Sequence, residues 1–202
     1  MKPGMATLET GAGSSTIVFA AGGAEHEAVS PSATEHEAIR AECARLGISS
    51  ERLHFHVGLS HEVLAAREPR PLDLALVDGA HGFPYPVLDW WYLAGQIKIG
   101  GLVVLDDAYM PPVGMLVDFL RRSPAWEVLP AIGYRTVPVR KLADGLPPFD
   151  WEGERLGGGL SFDYLPPGER LVASARHRFF SSSAGLATVR VLRRRAGFLF
   201  RQ

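Results

Sequence analysis

Short apolar runs alternate with helical patterns along most of the chain, and this alternation limits the fold more than any other feature of the sequence. Repeated strand and helix units imply right-handed crossovers, a mostly parallel sheet and helices on both of its faces. The sequence therefore predicts a doubly wound α/β fold. The predicted strands are residues 5–8, 27–29, 53–57, 72–77, 102–105, 126–129 and 134–139.

The length of the chain favours one domain. A chain of 202 residues with 47% hydrophobic content can bury one substantial core. The strand and helix pattern holds over residues 5–143 and then loosens into clusters such as Pro147-Pro148 and Pro166-Pro167. We therefore expect a single domain, residues 1–202, with a core at 5–143 and a C-terminal extension at 144–202.

The charges of the chain are nearly balanced, with 21 basic and 22 acidic residues. A formal net charge of -1 gives no overall field that would attract nucleic acid or an anionic membrane. On these grounds we expect a small-molecule partner, with neither nucleic acid nor membrane involved.

The single cysteine and the start of the chain bear on its location. Cys43 cannot form an internal disulfide, and its helical spacing from Ile39 predicts a packing role. The first residues lack the apolar segment of a signal peptide, and no apolar run approaches the roughly 18 residues that a membrane span requires. We therefore expect a cytoplasmic protein.

A glycine turn follows the first predicted strand, in the segment Glu9-Thr-Gly-Ala-Gly-Ser-Ser-Thr. Glycines at 11 and 13 allow backbone amides to approach a ligand closely, and the helix that follows presents unpaired amides at its start. This arrangement suits a carboxylate or a phosphate. The alternative is a tight structural turn without a ligand.

Acidic residues follow the fourth and fifth predicted strands, at Asp78 and at Asp106-Asp107. If these strands are parallel neighbours, the three carboxylates lie close together and repel one another, which a hard divalent cation such as Mg²⁺ would relieve. Successive strand residues point to opposite faces, so one ion can use both Asp106 and Asp107 only if the chain turns at Asp107. His81 lies three residues after Asp78. Taken singly, each Asp can also be a turn cap, and His81 can be an ordinary polar residue.

Three motifs in this order resemble class I S-adenosylmethionine-dependent methyltransferases, and specifically their small-molecule O-methyltransferase-like group. They are Glu9-Thr-Gly-Ala-Gly-Ser-Ser-Thr, Val77-Asp-Gly-Ala-His and Gly100-Gly-Leu-Val-Val-Leu-Asp-Asp, and the similarity extends over roughly residues 6–142. The resemblance implies a Rossmann-like, seven-stranded, mostly parallel sheet with an antiparallel last strand. It also implies that the methyl donor lies across the tips of the early strands.

The resemblance assigns residues to the donor. Family members usually carry a carboxylate at the end of the second strand, where it accepts hydrogen bonds from the ribose hydroxyls. This chain has Ser30 there, and Glu35 on the next turn can supply the missing carboxylate. The donor-binding residues implied by the resemblance are Glu9, Gly11, Gly13, Ser30, Gly58, Ser60 and Asp78.

The resemblance also implies a reaction. In the metal-dependent members the matching acids hold the ion, which makes Asp78, Asp106 and Asp107 the expected ligands of Mg²⁺. The ion lowers the pKa of a substrate hydroxyl, and His81 is expected to accept its proton. Asp78 and His81 are thus the expected catalytic residues of an O-methyltransferase that acts on a small hydroxylated substrate.

Two alternatives and one structural question stay open. Ser30 and the lack of helices before the first strand also fit a methyltransferase-like binding or partner-regulating module without catalysis. The glycine turn alone also fits an NAD-dependent oxidoreductase. Because family members usually cover the sheet with amino-terminal helices, the extension at 144–202 or a second copy of the chain, in a homo-oligomer, is expected to cover it here.

Overall fold

A computed structural model describes residues 1–145, 167–180, 185, 187 and 188 of the chain. The chain divides into two compact units, Met1–Pro147 and Pro148–Gln202. The first unit contains a seven-stranded sheet with its helices. In the second unit the described structure is mainly one helix, α6, so most of the predicted extension lies outside the described residues. No described helix is long and apolar enough to cross a membrane.

The sheet has the order β3-β2-β1-β4-β5-β7-β6. The five strands from β3 to β5 are parallel, β7 is antiparallel to β5, and β6 is antiparallel to β7. This confirms the predicted doubly wound, mostly parallel sheet with an antiparallel last strand. The strands are β1 (Ala6–Thr10), β2 (Glu25–Ser30), β3 (Leu53–Val57), β4 (Leu72–Val77), β5 (Ile97–Leu105), β6 (Trp126–Val128) and β7 (Val137–Lys141).

Helices connect the parallel strands, and local sequence signals fix where they begin. Ser32 caps α2 by accepting a hydrogen bond from the Glu35 amide at 3.2 Å. Two prolines open α5, where the missing N–H donors would be unpaired in any case. The helices are α1 (Ser14–Ala21), α2 (Ala33–Arg45), α3 (Ser60–Ala66), α4 (Tyr85–Ala94), α5 (Pro111–Arg122) and α6 (Pro167–Phe180).

The main core packs α4 and α5 against the centre of the sheet. Leu8 of β1, Leu93 of α4 and Leu105 of β5 are completely buried in it. Trp90 packs edge-on against Trp126, with ring centroids 6.2 Å apart, so this tryptophan helps to form the core. Burial of these apolar side chains is the main stabilising contribution to the unit.

The pairing register places the ends of three central strands side by side. Thr10 of β1 pairs with Val77 of β4, which in turn pairs with Leu105 of β5. The residues that follow these strands therefore leave the sheet at the same edge. Gly11, Asp78 and Asp106 are the first residues beyond that edge, so the strand order brings the glycine turn and both acidic segments together.

Two strands begin three or more residues away from their predicted starts, whereas the starts of the other strands lie within two residues of the prediction. β5 begins at Ile97, before Gly100, because the positive φ of 83° at that glycine lets the strand continue through a change of register with β4. β7 begins at Val137 rather than at residue 134, because the backbones of Ile132 and Thr136 pair across a turn that takes up the preceding residues.

Candidate functional site

A cavity of about 510 Å³ opens at the edge of the sheet where the parallel strands end. Its walls come from the turn after β1, the end of β2 with the start of α2, the start of α3 and the turn after β4. The lining residues are Gly11, Ala12, Val29, Ser30, Pro31, Glu35, Leu59, Ser60, His61, Asp78, Gly79, Ala80 and Tyr85. A ligand in such a crevice lies where open α/β sheets usually bind their ligands.

Gly11 lies where the chain turns away from β1. Its φ is +90°, its amide donates to the Val29 carbonyl at 2.8 Å, and a Cβ at this position would overlap the backbone carbonyl of Asp78. The Asp78 amide in turn donates to the Thr10 carbonyl at 3.0 Å. Only glycine fits at this contact, which brings two cavity-lining turns together.

Four of the predicted donor residues line the cavity, and three do not. Gly11, Ser30, Ser60 and Asp78 form part of its wall. The Gly13 amide donates to Thr16 Oγ1 at 3.0 Å at the start of α1. Gly58 packs against α3, where an added Cβ would lie 2.8 Å from Val63 Cγ2.

Glu9 is buried and does not line the cavity. Its carboxylate is 1% exposed, accepts hydrogen bonds from Ser15 Oγ at 2.6 Å and from Thr16 Oγ1, and lies 3.1 Å from His26 Nε2. These contacts tie β1 to the start of α1 and to β2. The geometry therefore gives Glu9 the role of holding the glycine turn in place.

Asp78, His81 and Asp107 form a compact cluster at the mouth of the cavity. His81 Nε2 lies 3.5 Å from Asp78 Oδ1 and 3.2 Å from Asp107 Oδ2. One possible ligand atom from each of the three residues lies within 4.8 Å of the others. Asp107 has a φ of +54°, which is the departure from strand geometry that the metal hypothesis required. Asp78 belongs both to this cluster and to the cavity wall.

The cluster carries an excess of negative charge. Burial raises the pKa of the Asp78 carboxyl, and the neighbouring charges of Asp106 and Asp107 raise it further, against an opposite effect of His81. With the neighbouring Asp106 and Arg135 included, three carboxylates face one guanidinium, which is an excess of two formal negative charges when His81 is neutral.

Asp106 pairs with Arg135, whereas the sequence analysis predicted it to be a metal ligand. It accepts hydrogen bonds from Arg135 at 3.2 and 2.5 Å and from Thr136 Oγ1 at 2.5 Å. Burial raises its pKa, but these hydrogen bonds lower it by more. The predicted metal set thus separates: Asp78 and Asp107 meet at His81, whereas Asp106 pairs with Arg135.

Arg135 is a site residue that the sequence analysis missed. Its guanidinium also lies 2.9 Å from Asp107 Oδ1, and its carbonyl accepts the Ala108 amide at 2.7 Å. The two loops that follow β5 and β6 are joined by these contacts. Tyr109 and Tyr134 stand on the same two loops, with ring centroids 5.8 Å apart and 56% and 80% of their surfaces exposed.

The family model described as a methyltransferase domain matches residues 8–108, half of the chain. This segment contains the cavity and the acidic cluster. No curated protein sequence matches the chain significantly. The family match decides against the alternative of an NAD-dependent oxidoreductase.

Several solved structures are similar. An rRNA methylase from Streptococcus thermophilus is 13% identical, with a TM-score of 0.55 over 70% of this chain and 90% of that chain. A Staphylococcus aureus protein assigned as a caffeoyl-CoA O-methyltransferase is 15% identical, with a TM-score of 0.58 over 68% of this chain and 76% of that chain. SMU.1697c from Streptococcus mutans, solved with S-adenosylhomocysteine (SAH), is 11% identical, with a TM-score of 0.54 over 70% and 91%. The chain spans only 45% of TrmN from Thermus thermophilus.

These similarities correct one expectation and support another. The prediction that nucleic acid is excluded as a partner is wrong, because a structure of the same fold is an rRNA methylase. A net charge near zero describes the whole surface and does not exclude a local RNA contact.

The predicted donor is supported by the family match and by the SAH-bound structure. The chain therefore belongs to the class I S-adenosylmethionine-dependent methyltransferases.

Proposed function

We propose that this methyltransferase transfers the methyl group to a hydroxyl oxygen of a small acceptor, with a divalent metal ion held by Asp78, His81 and Asp107. The observation that carries the proposal is that possible ligand atoms of these three side chains lie within 4.8 Å of one another. One of the three residues, Asp78, also lines the cavity that we assign to the donor. Donor and metal would then occupy adjacent spaces.

The residues present fit a divalent cation. His81 Nε2 is buried, lacks a hydrogen bond of good geometry and faces two carboxylates. Two carboxylate oxygens are ligands that Mg²⁺ and Mn²⁺ prefer, and the imidazole nitrogen favours a first-row transition ion such as Mn²⁺ over Mg²⁺. A divalent ion would also balance the two uncompensated negative charges of the cluster. His81 would then act as a ligand, and its predicted role as the proton acceptor would apply only in the metal-free protein.

The chemistry follows from proximity. S-adenosylmethionine would supply the methyl group, with the C–S bond of its sulfonium breaking and SAH leaving as the acceptor oxygen forms the new C–O bond. A metal ion in the cluster would lower the pKa of the acceptor hydroxyl, whose proton would pass to water. The chain itself holds the donor between Gly11 and Ser60 and fixes the acidic cluster next to it through Asp78. Positioning two reactants in this way supplies much of the rate enhancement without a covalent enzyme intermediate.

Tyr109 and Tyr134 are the residues that we assign to the acceptor. Both rings are largely exposed, they contact one another, and Tyr109 follows Asp107 by two residues. Exposed aromatic rings beside a polar cluster offer a surface on which a flat acceptor can stack while its hydroxyl reaches the cluster. The rings would thus orient the acceptor.

The experiment combines metal titration with methyl transfer. Protein treated with EDTA is titrated with Mn²⁺ by calorimetry, and transfer from labelled donor to a panel of phenols, catechols and sugars is measured with and without the ion. We expect one Mn²⁺ site and metal-dependent transfer in the wild type, and loss of both in Asp107→Asn. Asp118→Asn is the matched control, because Asp118 lies on the surface of α5 and pairs with Arg122 at 2.9 Å. Full transfer by the wild type in EDTA would contradict the metal assignment.

RNA is a second candidate acceptor, favoured by the similarity to an rRNA methylase. The same labelled donor, offered with tRNA and rRNA transcripts, separates the two classes of acceptor. Transfer to RNA but to no small hydroxylated compound would replace the first proposal. Donor binding without transfer to any acceptor would instead favour the binding module without catalysis.

A further inference from the structure

Two carboxylates line the donor cavity among the described residues, Asp78 and Glu35. Asp78 lies at the end that borders the acidic cluster. Glu35 lies at the other end, beside Ser30 and Pro31 after β2. Among the described residues, Glu35 is therefore the only carboxylate of the cavity wall that lies away from the acidic cluster.

Glu35 is held in place by a short chain of hydrogen bonds. Ser30 Oγ donates to Glu35 Oε2 at 2.9 Å and lies 3.0 Å from His36 Nε2. Because the serine hydroxyl has one proton and gives it to the carboxylate, the imidazole must be the donor in the second contact. Glu35 Oε1 accepts no hydrogen bond from the described residues, so one oxygen is fixed and the other is left for a ligand.

His36 anchors this chain from inside the protein. Its side chain is 5% exposed and stacks on Phe55 with ring centroids 4.4 Å apart. Burial lowers the pKa of His36, which favours the neutral ring with a single N–H. The Ser32 hydroxyl accepts a hydrogen bond from the Glu35 amide at 3.2 Å and so fixes the backbone of Glu35. Both the main chain and the side chain of Glu35 are thus oriented before a ligand binds.

We propose that Glu35, oriented by Ser30 and His36, is the carboxylate that binds the ribose diol of the methyl donor. A carboxylate can accept hydrogen bonds from both hydroxyls of a diol, and bonds to a charged acceptor are about twice as strong as bonds between neutral groups. Ser30 cannot supply such an acceptor itself, because its hydroxyl carries no charge. Ser30 at the end of β2 thus orients the carboxylate, and Glu35 in the first turn of α2 provides its negative charge.

The inference concerns the donor and does not depend on the metal or on the acceptor. Failure of the O-methylation proposal would leave it untouched, because its test uses only binding of SAH. Glu37 provides a matched control on the same helix: it is exposed and does not line the cavity. Its replacement changes the charge of the chain by the same amount.

The experiment measures the binding of two probes to the full chain by calorimetry: SAH and its 2′-deoxy analogue. In the wild type we expect the missing hydroxyl to weaken binding about 10-fold or more. In Glu35→Gln we expect SAH to bind about 10- to 100-fold more weakly and the difference between the probes to fall to about 3-fold or less. Glu37→Gln should match the wild type for both probes.

The ratio of the two affinities does not depend on the fraction of protein that is folded, so it stays informative if Glu35→Gln is less stable. Ser30→Ala tests the positioning role, and we expect it to reduce the same ratio by a smaller amount. A ratio that is unchanged from the wild type in Glu35→Gln would overturn the assignment of the carboxylate. An unchanged ratio in Ser30→Ala would overturn the role given to the serine.

Discussion

The backbone carbonyl of Asp78 occupies the space into which a side chain on Gly11 would project. This contact joins the turn after β1 to the turn after β4, and both turns line the cavity that we propose for the donor. The shape of that cavity therefore depends on the absence of one carbon atom at position 11.

Gly11→Ala is expected to damage both stability and donor binding. The positive φ and the overlap with Asp78 together should lower the free energy of unfolding by about 2 to 4 kcal/mol, and SAH should bind much more weakly. Gly13→Ala is the control, because an added Cβ there meets nothing within 4 Å. Urea denaturation and calorimetry measure the two effects. Equal SAH affinity in the two variants would contradict the importance of the contact.

Glu27 gives the fold a specific dependence on pH. Burial raises the pKa of its carboxyl, but the hydrogen bond and charge of Arg67, with Arg70 and His56, lower it by more, to about 2. The ordinary value is 4.5, so the ionised residue stabilises the fold above pH 4.5. About 3 kcal/mol of this stabilisation should disappear as the pH falls towards 2.

Glu27→Gln isolates this contribution. The difference in unfolding free energy between wild type and variant should be about 3 kcal/mol at pH 6 and should shrink steadily below pH 4.5. The exposed pair of Glu127 with Arg140 is the comparison, and Glu127→Gln should cost about 1 kcal/mol or less. A difference for Glu27→Gln that stays constant from pH 6 to pH 3 would show that its ion pairs do not set the pKa.

Tyr134→Ala tests the surface assigned to the acceptor. Loss of one ring from this pair should raise the KM for an aromatic acceptor about 5-fold, because one stacking contact with the acceptor contributes about 1 kcal/mol. The dissociation constant for SAH should not change, since Tyr134 does not line the donor cavity. Ile132→Ala, which removes another exposed side chain from the same loop, is the control. An unchanged KM in Tyr134→Ala would separate the two rings from acceptor binding.

The sequence predicted the fold and the meeting of Gly11 with Asp78 because both depend on local patterns. Apolar runs identify the strands, and residues after parallel strands gather at one edge. Arg135 could not be found in this way. It lies 29 residues from Asp106 along the chain, and their contact exists because β7 returns antiparallel beside β5.

The directions in which individual side chains point also could not be predicted from the sequence. Glu9, Gly13 and Gly58 lie in the segments that the resemblance assigned to the donor, yet none of them lines the cavity, and the carboxylate of Glu9 is taken up by hydrogen bonds inside the protein. Glu35, in contrast, lines the cavity because Ser32 caps α2 and Ser30 binds the carboxylate. Spacing identifies the turn that carries a residue, and the contacts of that turn decide where its side chain points.

The most direct test of the proposed site is a crystal structure with SAH and Mn²⁺, in which anomalous scattering identifies the ion. We predict an anomalous peak bound by Asp78, His81 and Asp107, and the sulfur of SAH in the cavity between Gly11 and Asp78. A peak at another group of residues, or SAH bound outside that cavity, would contradict the account.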